Sequence, residues 1–274
     1  EVKIFPNALV GGSVRESMDA VTLGEIYMTS VTELQFAPNI KEFYVFNADY
    51  LFDDLKDAKA KLDGEQGDLL KKAADDKNMG VKVAAFFGSS GRIFWNNVRE
   101  VNTLAAFQGI KSRAPENPIN IAELEALGCI PTPMAWNELY TGLQQGTVDG
   151  LVSSKMPIIQ QGLIDVLKYA TDTNHSYSIN VILISSAKYN SFSEEQRAAY
   201  DKAIAGAAEE EWKIAMKEEE DSVQKIKELQ EQGKILYTEL TDEAREEIKE
   251  AMVAATEPKV EEMCGKEILE TFRN

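Results

Sequence analysis

The stretch GIKSRAPENPINIAELEALGCIPTPMAWNELYTGLQQGTVDGLVSS (residues 109–154) alternates short extended segments with short helical ones. GIKSRAP predicts a strand, because Pro115 disfavours helix for the residue before it. NIAELEALG (120–128) and NELYTGLQQG (137–146) predict helices that end at glycine, and TVDGLVSS (147–154) predicts another strand. Alternating strands and helices are typical of βαβ units, so the stretch predicts an α/β fold with a largely parallel sheet.

The same alternation continues on both sides of this stretch. Apolar or alternating runs predict strands, and amphipathic runs that end at or near glycine predict helices. The predicted strands are EVKIFPN (1–7), IYMTSV (26–31), VKVAAFFGS (81–89) and SINVILISS (178–186), and the predicted helices are SVRESMDAVTLGEI (13–26), LFDDLKDAKAKLDG (51–64) and GDLLKKAADDKNMG (67–80).

From Ser193 to Gly233 the sequence becomes strongly helical and acidic. Ser193 and Gln196 form a capping box at the start, and Gly233 is a typical helix end. A single helix of this length would be ~60 Å long. Two apolar stripes, separated by the charged run KEEED, predict one helix lying across two lobes, with a kinked pair of helices as the alternative. The stripes are Tyr200, Ile204, Ala208, Trp212 and Met216, and then Val223, Ile226 and Leu229.

Length and charge limit the possible classes of protein. The 274 residues correspond to roughly two domains at ~150 residues each. Acidic residues outnumber basic ones, 46 to 29, for a net charge of −17, and such a surface repels nucleic acid. No apolar run is long enough to span a membrane. The chain begins at Glu1, and we expect it to be a processed or trimmed product.

No flexible linker separates the two expected lobes. We therefore predict that ordered strands connect them, and the best candidates are VKVAAFFGSSGRIFW (81–95) and HSYSINVILIS (175–185). A cleft between two such lobes is a typical site for a small ligand.

The sequence offers little catalytic chemistry. His175 is the single histidine, so a Ser/His/Asp or Cys/His arrangement would have to use it. No G-x-S-x-G motif, phosphate-binding loop or dinucleotide-binding fingerprint is present. One histidine and two cysteines also exclude a Cys/His zinc framework, while Cys129 and Cys264 are compatible with a disulfide or with two buried thiols. We expect His175 to be a hydrogen-bonded residue near the lobe junction, and we predict no catalytic residue, cofactor or metal.

Arg113 is the last charged residue of the strand GIKSRAP. In open α/β sheets, ligands bind beyond the carboxyl ends of the strands. Arginine binds a carboxylate through two charge-assisted hydrogen bonds, a geometry that lysine cannot reproduce. A carboxylate ligand and a structural ion pair with an Asp or Glu are both compatible with this position.

Residues 109–150 resemble the signature stretch of the solute-binding proteins of TRAP (tripartite ATP-independent periplasmic) transporters. That pattern reads Gly-Leu-Lys-x-Arg, then Leu-Gly-Ala-x-Pro-x-Pro-Met, then Glu-Leu-Tyr-x-Ala-Leu-Gln-x-Gly-x-Val-Asp-Gly. The resemblance extends backwards through FPNALVGGSVRESMDAVTLGEI and forwards through TNHSYS and the long acidic helix, and so covers essentially the whole chain.

The resemblance implies a two-lobed, periplasmic-binding-protein-like α/β fold of the type II class, with a long helix spanning both lobes. Lobe I is expected to comprise residues 1–90 plus about 179–218, and lobe II residues 91–178 plus about 219–274. The first strand and helix of the family are expected to be absent from this chain.

The resemblance also implies a function. It is that of a monomeric, periplasmic protein, freed of its signal peptide, that captures a small organic acid in the cleft and delivers it to the TRAP permease without chemistry. An enzyme that shares the bilobal fold, such as a transferase, is the alternative, and a structural or signalling domain that binds nothing is a third. Hydroxy, keto, aromatic and sugar acids all stay open as ligands.

Three site residues follow from the best-matched segments. The carboxylate-binding arginine of the family falls on Arg113, and an aromatic wall of the cleft falls on Trp136. The second arginine of the family is nearest to Arg92, with an offset of about one residue.

Four further residues lie on segments that border the cleft in the family. Ser153 stands where many members have a ligand-contacting asparagine, which argues against sialic acid. Glu33, Tyr177 and Asn180 are the other three. Asp49 marks a departure, because proline is usual at that position in the family.

Overall fold

The computed structural model describes residues 13–274, so the strand predicted at residues 1–7 lies outside the described part of the chain. The strands are β1 (Met28–Thr32), β2 (Val81–Asn96), β3 (Lys111–Ala114), β4 (Ile130–Pro133), β5 (Gly150–Ser154), β6 (Tyr169–Ser185) and β7 (Leu236–Thr238). The α-helices are α1 (Val14–Leu23), α2 (Glu33–Phe36), α3 (Leu55–Leu62), α4 (Glu65–Lys77), α5 (Pro118–Ala126), α6 (Leu139–Gln145), α7 (Lys155–Gln160), α8 (Ser186–Asn190), α9 (Glu194–Glu231), α10 (Asp242–Cys264) and α11 (Lys266–Arg273). Short 3₁₀ helices cover Lys41–Asn47, Leu104–Phe107, Trp136–Glu138 and Leu163–Asp165.

The seven strands form one mixed sheet in the order β1-β6-β2-β5-β3-β4, with β7 beside β6. β3 runs parallel to β4 and β5, and β7 runs parallel to β6. β2 is antiparallel to both β5 and β6, and β6 is antiparallel to β1. The prediction of a largely parallel sheet is therefore wrong. The physical reason is that β2 and β6, the two longest strands, run in opposite directions and pair with each other along most of their length.

Three apolar clusters divide the core, and β2 passes from the first to the other two. Val83 and Phe86 belong to the first cluster, which also holds the side chains of α3 and α4. Trp95 belongs to the second cluster and Phe94 to the third, as expected for neighbouring residues that point to opposite faces of a sheet. The predicted two-lobed α/β architecture is confirmed, while the residue limits predicted for the lobes stay a prediction.

Helix α9 is one unbroken helix of 38 residues, so the alternative of a kinked pair is wrong. The capping box of Ser193 and Gln196 is present. Trp212 lies in the first cluster and Ile226 in the second. The helix therefore spans both lobes, as its two apolar stripes predict.

Two glycines of β2 allow close contact where that strand crosses between the clusters. A Cβ atom at Gly88 would lie 2.5 Å from the ring of Trp212, and one at Gly91 would lie 1.8 Å from Oδ1 of Asn174. Nearby, the carboxylate of Glu219 in α9 accepts the backbone N–H of Gly91 at 2.9 Å. Its other oxygen accepts from Nζ of the buried Lys155 at 2.7 Å. These contacts attach the middle of α9 to the crossing strand.

Cys129 and Cys264 are both free and buried, so of the two alternatives the thiols are correct. Burial raises the pKa of the Cys129 thiol to about 12 and that of Cys264 to about 11, so both stay protonated. Among the described residues, no helix is both long and apolar enough to cross a membrane.

Candidate functional site

Arg113 lies near the end of β3, between the two parallel strands β4 and β5. It stands in register with Thr132 and Leu151. Its Nε donates to the backbone carbonyl of Met134 at 2.9 Å, which orients the half-buried guanidinium. Burial, and then the neighbouring positive charge of Arg92, lower the pKa of this guanidinium.

The guanidinium of Arg113 has no carboxylate partner within residues 13–274. Its single hydrogen bond in that part of the chain uses Nε, which leaves both terminal nitrogens without a protein acceptor. A structural ion pair, one of the two alternatives for this position, is thus not made by the described residues. The arrangement leaves a bidentate donor available for a carboxylate.

Trp136 lies beside Arg113 at the start of the 3₁₀ helix that follows β4. The ring centroid is 5.7 Å from the guanidinium carbon of Arg113, within the range of a cation–π contact. Its Nε1 donates to Oε1 of Gln161 at 2.8 Å. The half-buried indole is therefore held in place next to the free donors of Arg113.

Arg92, in contrast to Arg113, has a carboxylate partner within the protein. Its Nη2 lies 2.6 Å from Oε1 of Glu33, and the two side chains are 11% and 0% exposed. Oγ of Ser178 accepts from Nε and Nη2 of Arg92 at 3.0 and 2.7 Å. Oε2 of Glu33 accepts the N–H of Ile179 at 3.1 Å. Burial raises the pKa of Glu33, and the charge of Arg92 opposes that rise.

The three other predicted site residues are spread along β5 and β6. Ser153 is buried, and its carbonyl accepts from Nε1 of Trp95 at 3.1 Å. Tyr177 is part of the first cluster, its hydroxyl accepts from Nδ2 of Asn174 at 2.8 Å, and burial raises its pKa to about 12. Asn180 is half-buried, in register with the residue before Glu33. The structure brings together the pair Arg113 and Trp136 and the pair Arg92 and Glu33, and it places Tyr177 in the core.

A third group of titratable side chains was not predicted as a group. Asp49, Glu123 and His175 are all buried, and their ligand-type atoms lie within 4.8 Å of one another. Nε2 of His175 is 3.3 Å from Oε1 of Glu123, and its Nδ1 is 2.8 Å from Oγ1 of Thr173. Thr256 donates to Oδ2 of Asp49 at 2.9 Å. The expectation that His175 is a hydrogen-bonded residue is confirmed.

The two carboxyl groups of this cluster titrate differently. Burial, and then the negative charge of Glu123, raise the pKa of Asp49 to about 7. Burial also acts on Glu123, but hydrogen bonds and charges from His175, Asn120 and Arg92 outweigh it, so the pKa of Glu123 is lowered. Imidazole and carboxylate groups are also ligands for transition metals, and the prediction that no metal is bound stays a prediction.

Two residues of this cluster gave a signal in the sequence, and the third gave none. Asp49 stands where the resembling family has proline, and His175 is the single imidazole. Glu123 looks like a surface residue of a short helix, and its burial depends on the packing of α10 against α5.

One groove of the structure lies away from these residues. It has a volume of about 480 Å³ and lies between α3, α4, β2 and the first half of α9. Lys71, Lys82, Glu209 and Trp212 are among its lining residues, and none of the seven predicted site residues is. We place the candidate site at Arg113 because its charge has no acidic partner among the described residues, whereas Lys71, Lys82 and Glu209 of the groove are each ion-paired.

Comparison with known proteins gives a consistent result. The family model for bacterial extracellular solute-binding protein, family 7, matches residues 1–263. A solute-binding protein of Verminephrobacter eiseniae is 32% identical over 278 residues, which cover 100% of this chain and 79% of the relative. The C4-dicarboxylate-binding periplasmic protein DctP of Rhodobacter capsulatus is 28% identical over 253 residues, 89% of this chain and 72% of the relative. The crystal structure of the sugar acid binding protein DctPAm from Advenella mimigardefordensis, in complex with galactonate, matches with a TM-score of 0.87 and 28% identity, covering 100% of this chain and 86% of that one.

Proposed function

The chain belongs to family 7 of the bacterial extracellular solute-binding proteins, the binding components of TRAP transporters, and we propose that it captures a small organic acid through Arg113. The acid would bind in a cleft between the two lobes and be delivered to TRAP permease subunits. We further propose that the protein is periplasmic and acts as a monomer. Its relatives bearing the name DctP are described as a C4-dicarboxylate-binding and a sugar acid binding protein.

The observation that carries this proposal is the unpaired guanidinium of Arg113. A charge that is partly removed from water and lacks a partner destabilises the folded chain unless a ligand compensates it. Within residues 13–274 its terminal nitrogens have no acceptor, and the neighbouring charge that lowers its pKa is that of another cation, Arg92. A bound carboxylate would supply two acceptors and the missing negative charge.

The other proposed contacts extend from this anchor. Trp136 would lie against the apolar or ring face of the acid, since its ring already packs beside Arg113. Arg92 and Glu33 would border the ligand as a buried pair, with Ser153 and Asn180 as neutral polar neighbours. Tyr177 would support the cleft from the first cluster, where its hydroxyl is bonded to Asn174.

We propose a binding protein and not an enzyme. The family consists of solute-binding proteins, and the single imidazole of His175 is buried, with its Nδ1 hydrogen-bonded to Thr173 and its Nε2 3.3 Å from Glu123. Incubation with candidate acids should therefore return them unchanged while raising the thermal stability of the protein.

Calorimetry with a panel of carboxylic acids tests the role of Arg113. Arg113→Ala should weaken binding of the cognate acid by about 30-fold to several thousand-fold, since truncating one partner of a buried charged pair costs ~2–5 kcal/mol. Arg99→Ala is the matched control, because Arg99 is exposed and donates to the backbone carbonyls of Ala106 and Gln108. An unchanged affinity in Arg113→Ala would contradict the carboxylate-anchor proposal.

Small-angle scattering tests closure of the lobes. A ligand that touches both lobes favours the closed state by the difference between its affinities for the two states. The radius of gyration should therefore decrease when the cognate acid is added, and Arg113→Ala at the same ligand concentration should show no decrease. Identical profiles with and without ligand would indicate a rigid cleft.

A further inference from the structure

The cations around the candidate site differ in whether the protein neutralises them. Arg92 is paired with the fully buried Glu33, and the buried Lys155 is paired with Glu219. The negative charge of Glu123 also lies within the field of Arg92. Among the described residues, Arg113 is the cation of this region that has no acidic partner.

We propose that this cleft selects acids that carry one carboxylate and discriminates against acids that carry two. The proposal rests on the proposed function, because it assumes that Arg113 binds a carboxylate. The two relatives bearing the name DctP differ on this point, since one is named for C4-dicarboxylates and the other holds galactonate, a monocarboxylate. Family membership therefore leaves the number of carboxylates open, and the charges of this chain decide it.

The physical reason is that Arg92, the cation whose charge acts on Arg113, is already paired with Glu33. One carboxylate bound to Arg113 makes the site electrically neutral. A second carboxylate would lose its hydration without gaining a cation, and burying an unpaired charge is strongly unfavourable.

Rearrangement of Arg92 does not remove this difficulty. To bind a second carboxylate, the guanidinium would have to leave Oε1 of Glu33, which is 2.6 Å away. Glu33 is completely buried, so it would then be an unpaired buried acid whose remaining protein donors are the backbone N–H groups of Glu33 and Ile179. Because Glu33 compensates the charge of Arg92, the pair contributes polar groups to the cleft but little net charge.

Matched pairs of acids test the proposal on the unmodified chain. Each pair keeps the carbon skeleton and changes one end group from neutral to carboxylate: gamma-hydroxybutyrate with succinate, galactonate with galactarate, and 4-(hydroxymethyl)benzoate with terephthalate. Calorimetry at fixed pH and ionic strength measures both members. In the pair that binds best, the monoacid should bind at least about 30-fold more tightly than the diacid, because the diacid must bury an unpaired charge.

A reciprocal variant tests the cause. Glu33→Gln keeps the size of the side chain and its ability to accept a hydrogen bond, but it releases the charge of Arg92. This variant should reduce the preference for the monoacid by about 10-fold or more. Glu239→Gln removes one negative charge at an exposed position, where Glu239 pairs with Lys227, and should leave the preference unchanged.

The outcomes separate this proposal from the proposed function. A monoacid preference that shrinks in Glu33→Gln supports both. Equal or tighter binding of the diacid by the unmodified chain overturns the selectivity proposal and leaves the carboxylate-binding function standing. If Glu33→Gln does not fold, the comparison of paired acids on the unmodified chain still decides the proposal. If no monoacid or diacid binds, the carboxylate-binding function is contradicted and the selectivity proposal fails with it.

Discussion

Arg92 and Arg113 are neighbouring guanidinium groups in two different surroundings. Around Arg92 the protein supplies a buried carboxylate and a serine hydroxyl, so its charge is compensated before any ligand arrives. Around Arg113 the described chain supplies one carbonyl and the face of an indole, and no negative charge. We therefore propose that the first arginine serves mainly the fold and the second serves a ligand, although both are arginines at strand positions of one sheet.

The largest effect on stability is expected at Arg92, and measuring it tests whether the two arginines differ as described. Arg92→Ala should lower the free energy of unfolding by ~3–5 kcal/mol, because it leaves the buried Glu33 without its partner. Arg113→Ala should cost less than ~1 kcal/mol or even stabilise the ligand-free chain, because it removes an uncompensated charge. Urea denaturation of both variants without ligand measures the two values.

A double variant checks the cause of the loss at Arg92. Arg92→Gln combined with Glu33→Gln removes both charges and should recover much of the stability lost in Arg92→Ala. Equal losses in Arg92→Ala and Arg113→Ala would contradict the division between a structural and a ligand-binding arginine.

The cluster of Asp49, Glu123 and His175 extends the comparison to carboxyl groups. Asp49 has a pKa of about 7 in the folded chain, against an ordinary value of 3.8. Its folded-state pKa is raised, so the folded chain holds the proton that the unfolded chain releases, and stability falls as the pH rises from about 4 to about 7. Asp49→Asn removes this pH-dependent contribution to stability, and the asparagine can still accept the hydrogen bond of Thr256.

The expected result is a difference in unfolding free energy that depends on pH. The stability of Asp49→Asn relative to the unmodified chain should increase by up to ~4 kcal/mol between about pH 4 and pH 8. Asp76→Asn is the control, because Asp76 is an exposed partner of Lys72. Denaturation at a series of pH values measures the difference, and a difference that does not change with pH would show that Asp49 ionises normally.

The smallest effect sharpens the description of the ligand-binding region. Trp136→Ala should weaken a bulky or ring-bearing acid by more than ~1 kcal/mol and hardly affect a two- or three-carbon acid, since a small acid leaves most of the indole face uncovered. Ligand-induced quenching of tryptophan fluorescence, compared between the unmodified chain and Trp136→Phe, gives the measurement. If the quench keeps its full amplitude in Trp136→Phe, Trp136 is not the wall of the cleft.

The helices were predicted correctly where interactions between residues close in sequence determine them. The capping box at Ser193 and the apolar stripes predicted α9 as one helix across two lobes, because hydrogen bonds and periodicity within a helix involve residues three or four positions apart. The helix at α1 and its end at Gly24 followed for the same reason. The relative direction of β2 and β6 was not predicted, because their antiparallel pairing depends on residues that are far apart in the sequence.

The site was predictable in part. The resemblance named Arg113, Trp136, Arg92 and Glu33, and the structure places them as two neighbouring pairs. That Glu33 neutralises Arg92 could not be read from the sequence, because the two lie on separate elements whose side chains meet only in the folded chain. Their roles toward a ligand stay predictions.

Helix α9 has a mechanical consequence for the proposed closure. At 1.5 Å per residue its 38 residues span about 57 Å, and its side chains pack into the cores of both lobes. Any relative rotation of the lobes must therefore bend this helix or slide one of its ends. Glu219, in the charged run between the two stripes, is bonded to Gly91 and Lys155, which attaches the helix to its neighbours at this point. Under the proposed closure, the helix would act as an elastic element, whose bending energy favours return of the lobes to their resting angle once the ligand leaves.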